Sequence, residues 1–222
     1  MLQSQEGIMI TSAIYGTDGA LSLFIDNPPS MSLFYVISLS IIPFFMVLAS
    51  YDQFSTDLSS GYFRFLSSRC KRIEIFLARI LSAFSLVAGA FFIVTVICTA
   101  LSIKNDGYQT IDVAFYSLQI YFTLLLYALP FIAYMSLISS MVSSALAALF
   151  LGMFGYALIW ILNLFTIFIE YKDIFSYLLA NSMKSFLIEV YTDHFYFALA
   201  ILPIYILVFT GMAFGNFNRR NL

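Results

Sequence analysis

The sequence predicts an all-α polytopic transmembrane helical bundle of five spans, and three observations predict it. Hydrophobic residues make up 62% of the 222-residue chain and charged residues only 10%, whereas a soluble domain carries about 25% charged residues. Mean hydropathy is +0.94. Four stretches, 27–51, 80–103, 113–169 and 195–218, carry no charge at all, and ~20 apolar residues in a helix suffice to cross ~30 Å of hydrocarbon. The runs are continuously apolar rather than alternating, which argues against a β-barrel.

The elements follow in order. Residues 1–30 read as an extracytoplasmic segment. They have no basic n-region, and Asp18 between Gly16 and Gly19 interrupts the only apolar stretch, so no signal peptide is expected. The first span is 31–50, and a polar segment, 51–76, follows it. The second and third spans, 77–103 and 113–138, are joined by 104–112. The long uncharged stretch divides at Ser139-Ser140-Met141-Val142-Ser143-Ser144, which places a fourth span at 144–169. The loop 170–194 reads as two short amphipathic helices with a break at Asn181-Ser182, dipping into the outer interface as a lid or an anchored loop. The last span is 195–216. Pro43, Pro130 and Pro203 fall inside spans and favour kinks, a feature that membrane helices tolerate for packing alone.

Charge distribution orients the bundle. Five of the ten basic residues, Arg64, Arg69, Lys71, Arg72 and Arg79, cluster after the first span. With that loop in the cytoplasm, seven basic residues lie inside and three (Lys104, Lys172, Lys184) outside, while nine acids lie outside against three inside. The positive-inside rule then gives an N-terminus outside and a C-terminus in the cytoplasm.

The basic loop is also patterned. Phe54, Leu58, Tyr62 and Phe65 recur at i, i+4, i+8 and i+11, one face of a helix. Gly61 weakens that helix by ~1 kcal/mol relative to alanine and marks a place for a break or a close contact. Such an amphipathic helix with a basic flank suits either the anionic inner leaflet or a groove on a soluble partner.

Asp57, Gly61 and Arg72-x-Glu74-x-x-x-x-Arg79, the turn Leu137–Ala147, and the closing Phe217-Asn218-Arg219-Arg220 together resemble the permease subunits of type-2 ABC exporters. The resemblance covers about residues 31–222. Two departures stand beside it. The proline that often precedes the basic turn is absent, with Arg69 near its place. The family also usually has six spans, so this is either a five-span version or a chain whose start lies downstream of the first span, residues 1–30 then being the first external loop. The resemblance implies residence in a bacterial or archaeal inner (plasma) membrane, as one of two permease copies or paralogues working with two cytoplasmic ABC ATPase subunits. It implies a coupling helix within 51–76 in which Tyr62, Phe65, Arg69 and Arg72 contact the ATPase, while Asp57, Gly61 and Glu74 shape the loop. ATP and Mg would sit on the partner, since this chain has no G-x-x-x-x-G-K-[ST].

Two further sets carry weaker readings. Ser140, Ser144, Ala148 and Gly152 form a small-xxx-small stripe, which serves either contact with a second permease subunit or packing within one. Gly211 and Gly215 form a weaker pair that reads as packing within the chain. Phe44, Phe45, Phe150 and Phe154 are candidates for a greasy translocation path because the family places those spans centrally; most other aromatics read as lipid-facing or interfacial.

Several classes are disfavoured. No charged residue occupies the interior of any span, and His194 lies at the outer edge of the last one, so the relays of a secondary transporter are missing. No H-E-x-x-H or G-x-S-x-G occurs, which leaves little basis for an enzyme. Cys70 lies in the basic loop and Cys98 deep in an apolar run, so no disulfide or metal framework is implied. The expected partners are the ATPase, a second permease and membrane lipid, not nucleic acid. The rival reading is a non-transport membrane scaffold, an assembly or immunity factor whose basic loop rides on lipid.

Overall fold

A computed structural model describes residues 23–24, 27–63, 69–165, 183–188 and 192–219. The described elements are all helical: α1 (Pro29–Ser50), α2 (Ser55–Ser59), α3 (Arg72–Asn105), α4 (Thr110–Met141), α5 (Ala145–Phe165), α6 (Met183–Ile188) and α7 (Asp193–Arg219). Four of them, α1, α3, α4 and α7, are long and apolar enough to cross a membrane. α5, with 21 residues, stands where the fourth span is expected. The chain is thus a multi-pass helical membrane protein.

Local chemistry explains the helix ends. α1 starts on Pro29, whose fixed φ suits the first turn and whose missing N–H would have no intrahelical partner. α3 begins five residues before the expected second span, because the Glu74 carboxylate accepts the Lys71 N–H at 3.1 Å and satisfies an orphan donor. The α3–α4 turn is tight, with Gly107 at φ 72°, a left-handed conformation that glycine adopts without a Cβ clash. α4 ends where Val142 turns extended. Thr192 Oγ1 accepts the Phe195 N–H at 3.3 Å to start α7.

α4 is the axis. Two thirds (67%) of its most apolar window is buried, against 11% for α3 and 17% for α7. α1, α3, α5 and α7 all pack on it. The outward faces of α3 and α7 remain apolar (Leu81, Leu86, Ile204, Leu207), which is the signature of helices whose second solvent is lipid.

The helix ends lie at two opposite faces, the basic end (Arg69, Lys71, Arg72, Arg79, Arg219) and the far end. At the far end the Asp106 carboxylate accepts hydrogen bonds from Ser30 N–H (3.0 Å), Ser30 Oγ (2.7 Å) and Ser102 Oγ (2.7 Å). One acid therefore clamps the start of α1 to the end of α3. Leu23 and Phe24, from the N-terminal segment, are buried here, and Ser32 Oγ donates to the Leu23 carbonyl at 3.1 Å. The first of the two helices expected in 170–194 lies outside the described residues. The second, α6, begins just past the expected break. Its Met183, Leu187 and Ile188 are fully covered in the main core, and Tyr35 Oη donates to the Leu187 carbonyl at 2.6 Å. α6 is thus docked into the bundle, where an interfacial helix was expected.

That docking carries Lys184 with it. Desolvation lowers its pKa from 10.5, because burial disfavours the ammonium form. The folded state therefore holds fewer protons than the unfolded state between the lowered value and 10.5, so stability rises with pH across that window. Lys184→Met is expected to flatten this rise, read as the difference between the wild-type and variant unfolding midpoints in detergent as pH climbs toward 10.5. An identical pH slope in the two proteins would show that Lys184 is not the group responsible.

Candidate functional site

The polar segment after α1 folds back beneath the bundle at the basic end. Asp52 starts its short helix: Oδ1 accepts the Thr56 N–H and Ser55 Oγ, each at 3.2 Å, and also Thr56 Oγ1. α2 runs only from Ser55 to Ser59. It stops at Gly61, whose φ of 69° lies in the left-handed region that glycine favours. The continuous helix that the 54–58–62–65 stripe predicts is therefore broken at Gly61. The break changes which side chains point inward. Phe63 is 1% exposed, whereas Tyr62 is 47% exposed.

Beneath the segment lies a second core of phenylalanines. Phe54 stacks on Phe76 of α3 with centroids 5.3 Å apart and leans on Phe217 of α7 at 5.5 Å. Phe63 meets Phe217 edge-on at 5.3 Å, and Phe214 completes the cage against Phe76 at 5.3 Å. Offset and edge-on aromatic pairs of this kind add ~0.5–1.5 kcal/mol each beyond area burial. Leu58, Ile75, Ile80, Leu137 and Ala213 fill in around them. One segment is thereby joined to α3 and α7 through a single apolar plug.

Polar links surround the plug. Asp57 forms an ion pair with Arg79 of α3. Arg72 Nη1 donates to the Asn218 carbonyl at 2.6 Å, satisfying an acceptor at the C-terminal end of α7. Gln53 is buried and its Oε1 accepts from Ser136 Oγ of α4. Asn216 Nδ2 donates to Ser140 Oγ at 3.3 Å. α3, α4 and α7 are all tied to the segment or to each other at this end.

The residues expected to couple to a partner are thus sorted by position. Asp57 faces inward to Arg79, Arg72 binds the end of α7, and Glu74 caps α3. Gly61, Tyr62 and Arg69 are exposed at the same end. Phe65 lies outside the described residues. Gln53, Phe63, Phe76 and Phe214 are structural partners that the stripe does not point to. Allowing the helix to break at Gly61 is the one local signal that would have brought Phe63 inward.

The small-residue stripe is used inside the chain. Ser140, Ala148 and Gly152 are buried, and only Ser144 is exposed. A Cβ on Gly152 would sit 2.6 Å from the Met135 sulfur and 3.4 Å from Val47 Cγ1, so the α5 backbone approaches α4 and α1 closely. Tyr134 Oη donates to the Gly152 carbonyl at 3.2 Å. By contrast, a Cβ on Gly211 or Gly215 would meet nothing within 4 Å. That pair faces away from the chain, contrary to the expectation of packing within it. Phe44, Phe45, Phe150 and Phe154 lie on the outer surface of α1 and α5, so a path lined by them would run between this chain and a neighbour.

The sequence matches no protein-family profile, and no curated protein matches it. The family reading therefore rests on the chain's own residues.

Proposed function

We propose that the chain is the permease subunit of an ATP-driven, type-2 ABC exporter, with its basic end in the cytoplasm against a separate ATPase. One observation carries the reading. The segment 51–63 is plugged by Phe54 and Phe63 into the ends of α3 and α7 while it presents Tyr62 outward. A force applied to such a segment is passed to two spans at once, because a close-packed aromatic plug yields little. Asp57–Arg79 and Arg72–Asn218 add polar links in the same direction. In this reading ATP and Mg bind the partner alone, and a second permease copy completes the translocation path. The excess of basic residues at this end favours the cytoplasmic side.

The test is purification of the full chain from native membranes in mild detergent, with identification of what accompanies it. A stoichiometric Walker-motif ATPase, lost on Tyr62→Ala, is the expected result. Arg72→Glu is expected to abolish ATPase-dependent transport. The Arg72–Asn218 hydrogen bond that it removes is exposed and worth about 0.5–1.5 kcal/mol, too little to unfold the spans. A chain that carries no ATPase after cross-linking, or transport unchanged in Arg72→Glu, would overturn the proposal in favour of a scaffold.

A further inference from the structure

The start of α3 and the end of α7 meet at the basic end. Arg72 Nη1 donates to the Asn218 carbonyl at 2.6 Å, and one turn further along α3 Phe76 packs on Phe217 with centroids 5.9 Å apart. The bonded pair has a basic neighbour on each side. Lys71 precedes Arg72, and Arg219 follows Asn218. Both are exposed, and neither forms an ion pair among the described residues. Arg69, two residues before Lys71, is exposed as well.

The acids at this end leave that charge standing. Asp57 is paired with Arg79. Asp52 turns to the start of α2, where it accepts from Ser55 and Thr56. Glu74 is the acid in the first turn of α3, and it stands alone against Lys71, Arg72 and Arg219. The N-terminal end of the α3 dipole and the C-terminal end of the α7 dipole meet here with opposite signs and largely cancel, so the side chains set the field. Cations gathered in this way repel one another, and an anion among them relieves the repulsion. The same residues lie at the edge of the hydrocarbon. Ile73 and Leu77, in the first two turns of α3, are 39% and 52% exposed. Ile73 is two residues past Lys71, about 3 Å of rise, so the Lys71 ammonium on its four-carbon stem reaches the layer of headgroup phosphates.

We propose that the joint of α3 and α7 binds the headgroup phosphate of one anionic phospholipid, drawn from the leaflet at the basic end, between Lys71 and Arg219. Charge and depth together select this occupant. The cations call for an anion, and the exposed Ile73 and Leu77 beside them call for an apolar companion; an anionic phospholipid supplies both in one molecule. Lys71 and Arg219 are not among the residues placed against the ATPase. The site requires only that α3 and α7 cross a bilayer, and it stands apart from the exporter reading.

The test is native mass spectrometry of the full chain, purified alone in detergent, stripped of lipid and titrated with phosphatidylglycerol or phosphatidylcholine. One phosphatidylglycerol per chain is expected to bind ahead of any phosphatidylcholine. Lys71→Gln and Arg219→Gln are each expected to weaken that first lipid about fivefold, the change that ~1 kcal/mol per basic residue produces, and together roughly 25-fold. Phosphatidylcholine binding should not change in any of them. Lys104→Gln, which removes an exposed lysine at the far end, is expected to leave the first phosphatidylglycerol in place. Both substituted side chains at the joint are exposed, so the unfolding midpoint should hold; if the double variant fails to fold, the two single variants decide. Equal affinity for the two lipids, or a loss in Lys104→Gln as large as in the joint variants, would show ordinary annular lipid and overturn the site. Phosphatidylglycerol binding that survives the joint variants would do the same. Displacement of the lipid by millimolar inorganic phosphate would show a site for free anions and overturn the lipid assignment.

Discussion

Phe54→Ala is expected to release the 51–63 segment from the bundle while the spans stay assembled. Phe54 is fully buried and touches Phe63, Phe76 and Phe217. Truncating it removes the ring that joins the segment to both α3 and α7 and leaves a cavity among three others. Buried Phe→Ala changes cost about 3–5 kcal/mol. The loss falls on a short segment whose other anchors are Phe63 against Phe217, the partly exposed Asp57–Arg79 pair, which contributes modestly, and one buried hydrogen bond between Gln53 and Ser136. Backbone hydrogen exchange across 55–63 should then accelerate about a hundredfold, the factor that ~3 kcal/mol produces. Protection in α4 should not change. Phe54→Leu keeps most of the volume and should restore most of the protection. Equal exchange in wild type and Phe54→Ala would show that the phenylalanine cage does not hold the segment, and the force path proposed above would fall with it.

Gly152→Leu is expected to damage the packing of the spans, and Gly152→Ala to be mild. The contrast comes from what each side chain would meet. A lone Cβ encounters the Met135 thioether, the far end of a flexible side chain that can swing aside. A leucine must also find room against Val47, whose Cγ1 lies 3.4 Å from that Cβ. Overpacking of this kind costs about 1–3 kcal/mol, and here it also threatens the hydrogen bond from Tyr134 to the Gly152 carbonyl. The unfolding midpoint of Gly152→Leu in detergent should fall at every protein concentration. A midpoint that falls only on dilution, with wild-type stability in concentrated samples, would instead place Gly152 at a contact between copies.

The legible and illegible parts of this fold divide along a physical line. Asp57, Arg72, Glu74 and Arg79 stand out in the sequence because charge is scarce, and the structure brings all four to one end of the bundle. Phe63, Phe76, Phe214 and Phe217 do not stand out among 25 phenylalanines, yet they make the plug. Tyr62 and Phe63 exchange roles because one glycine, Gly61, leaves the right-handed helix, and periodicity presumes that no residue does so. The two glycine pairs carry the same lesson. Gly152 and Gly211 belong to similar small-residue patterns, but one lies under Met135 and the other meets nothing.

The order and approximate position of the apolar helices, four of them long enough to cross a membrane, were determined by the sequence alone. A bilayer demands a run of ~20 apolar residues, a property of contiguous chain that needs no partner. The inward face of each span was decided only in the folded bundle. A helix that is apolar all round carries no moment to aim it at a core when lipid is as apolar as the interior. Close fit then chooses: the small face of α5 against Met135 and Val47, the serines of α1 and α3 around Asp106, and α4 at the centre because four other helices can each find a matching surface on it.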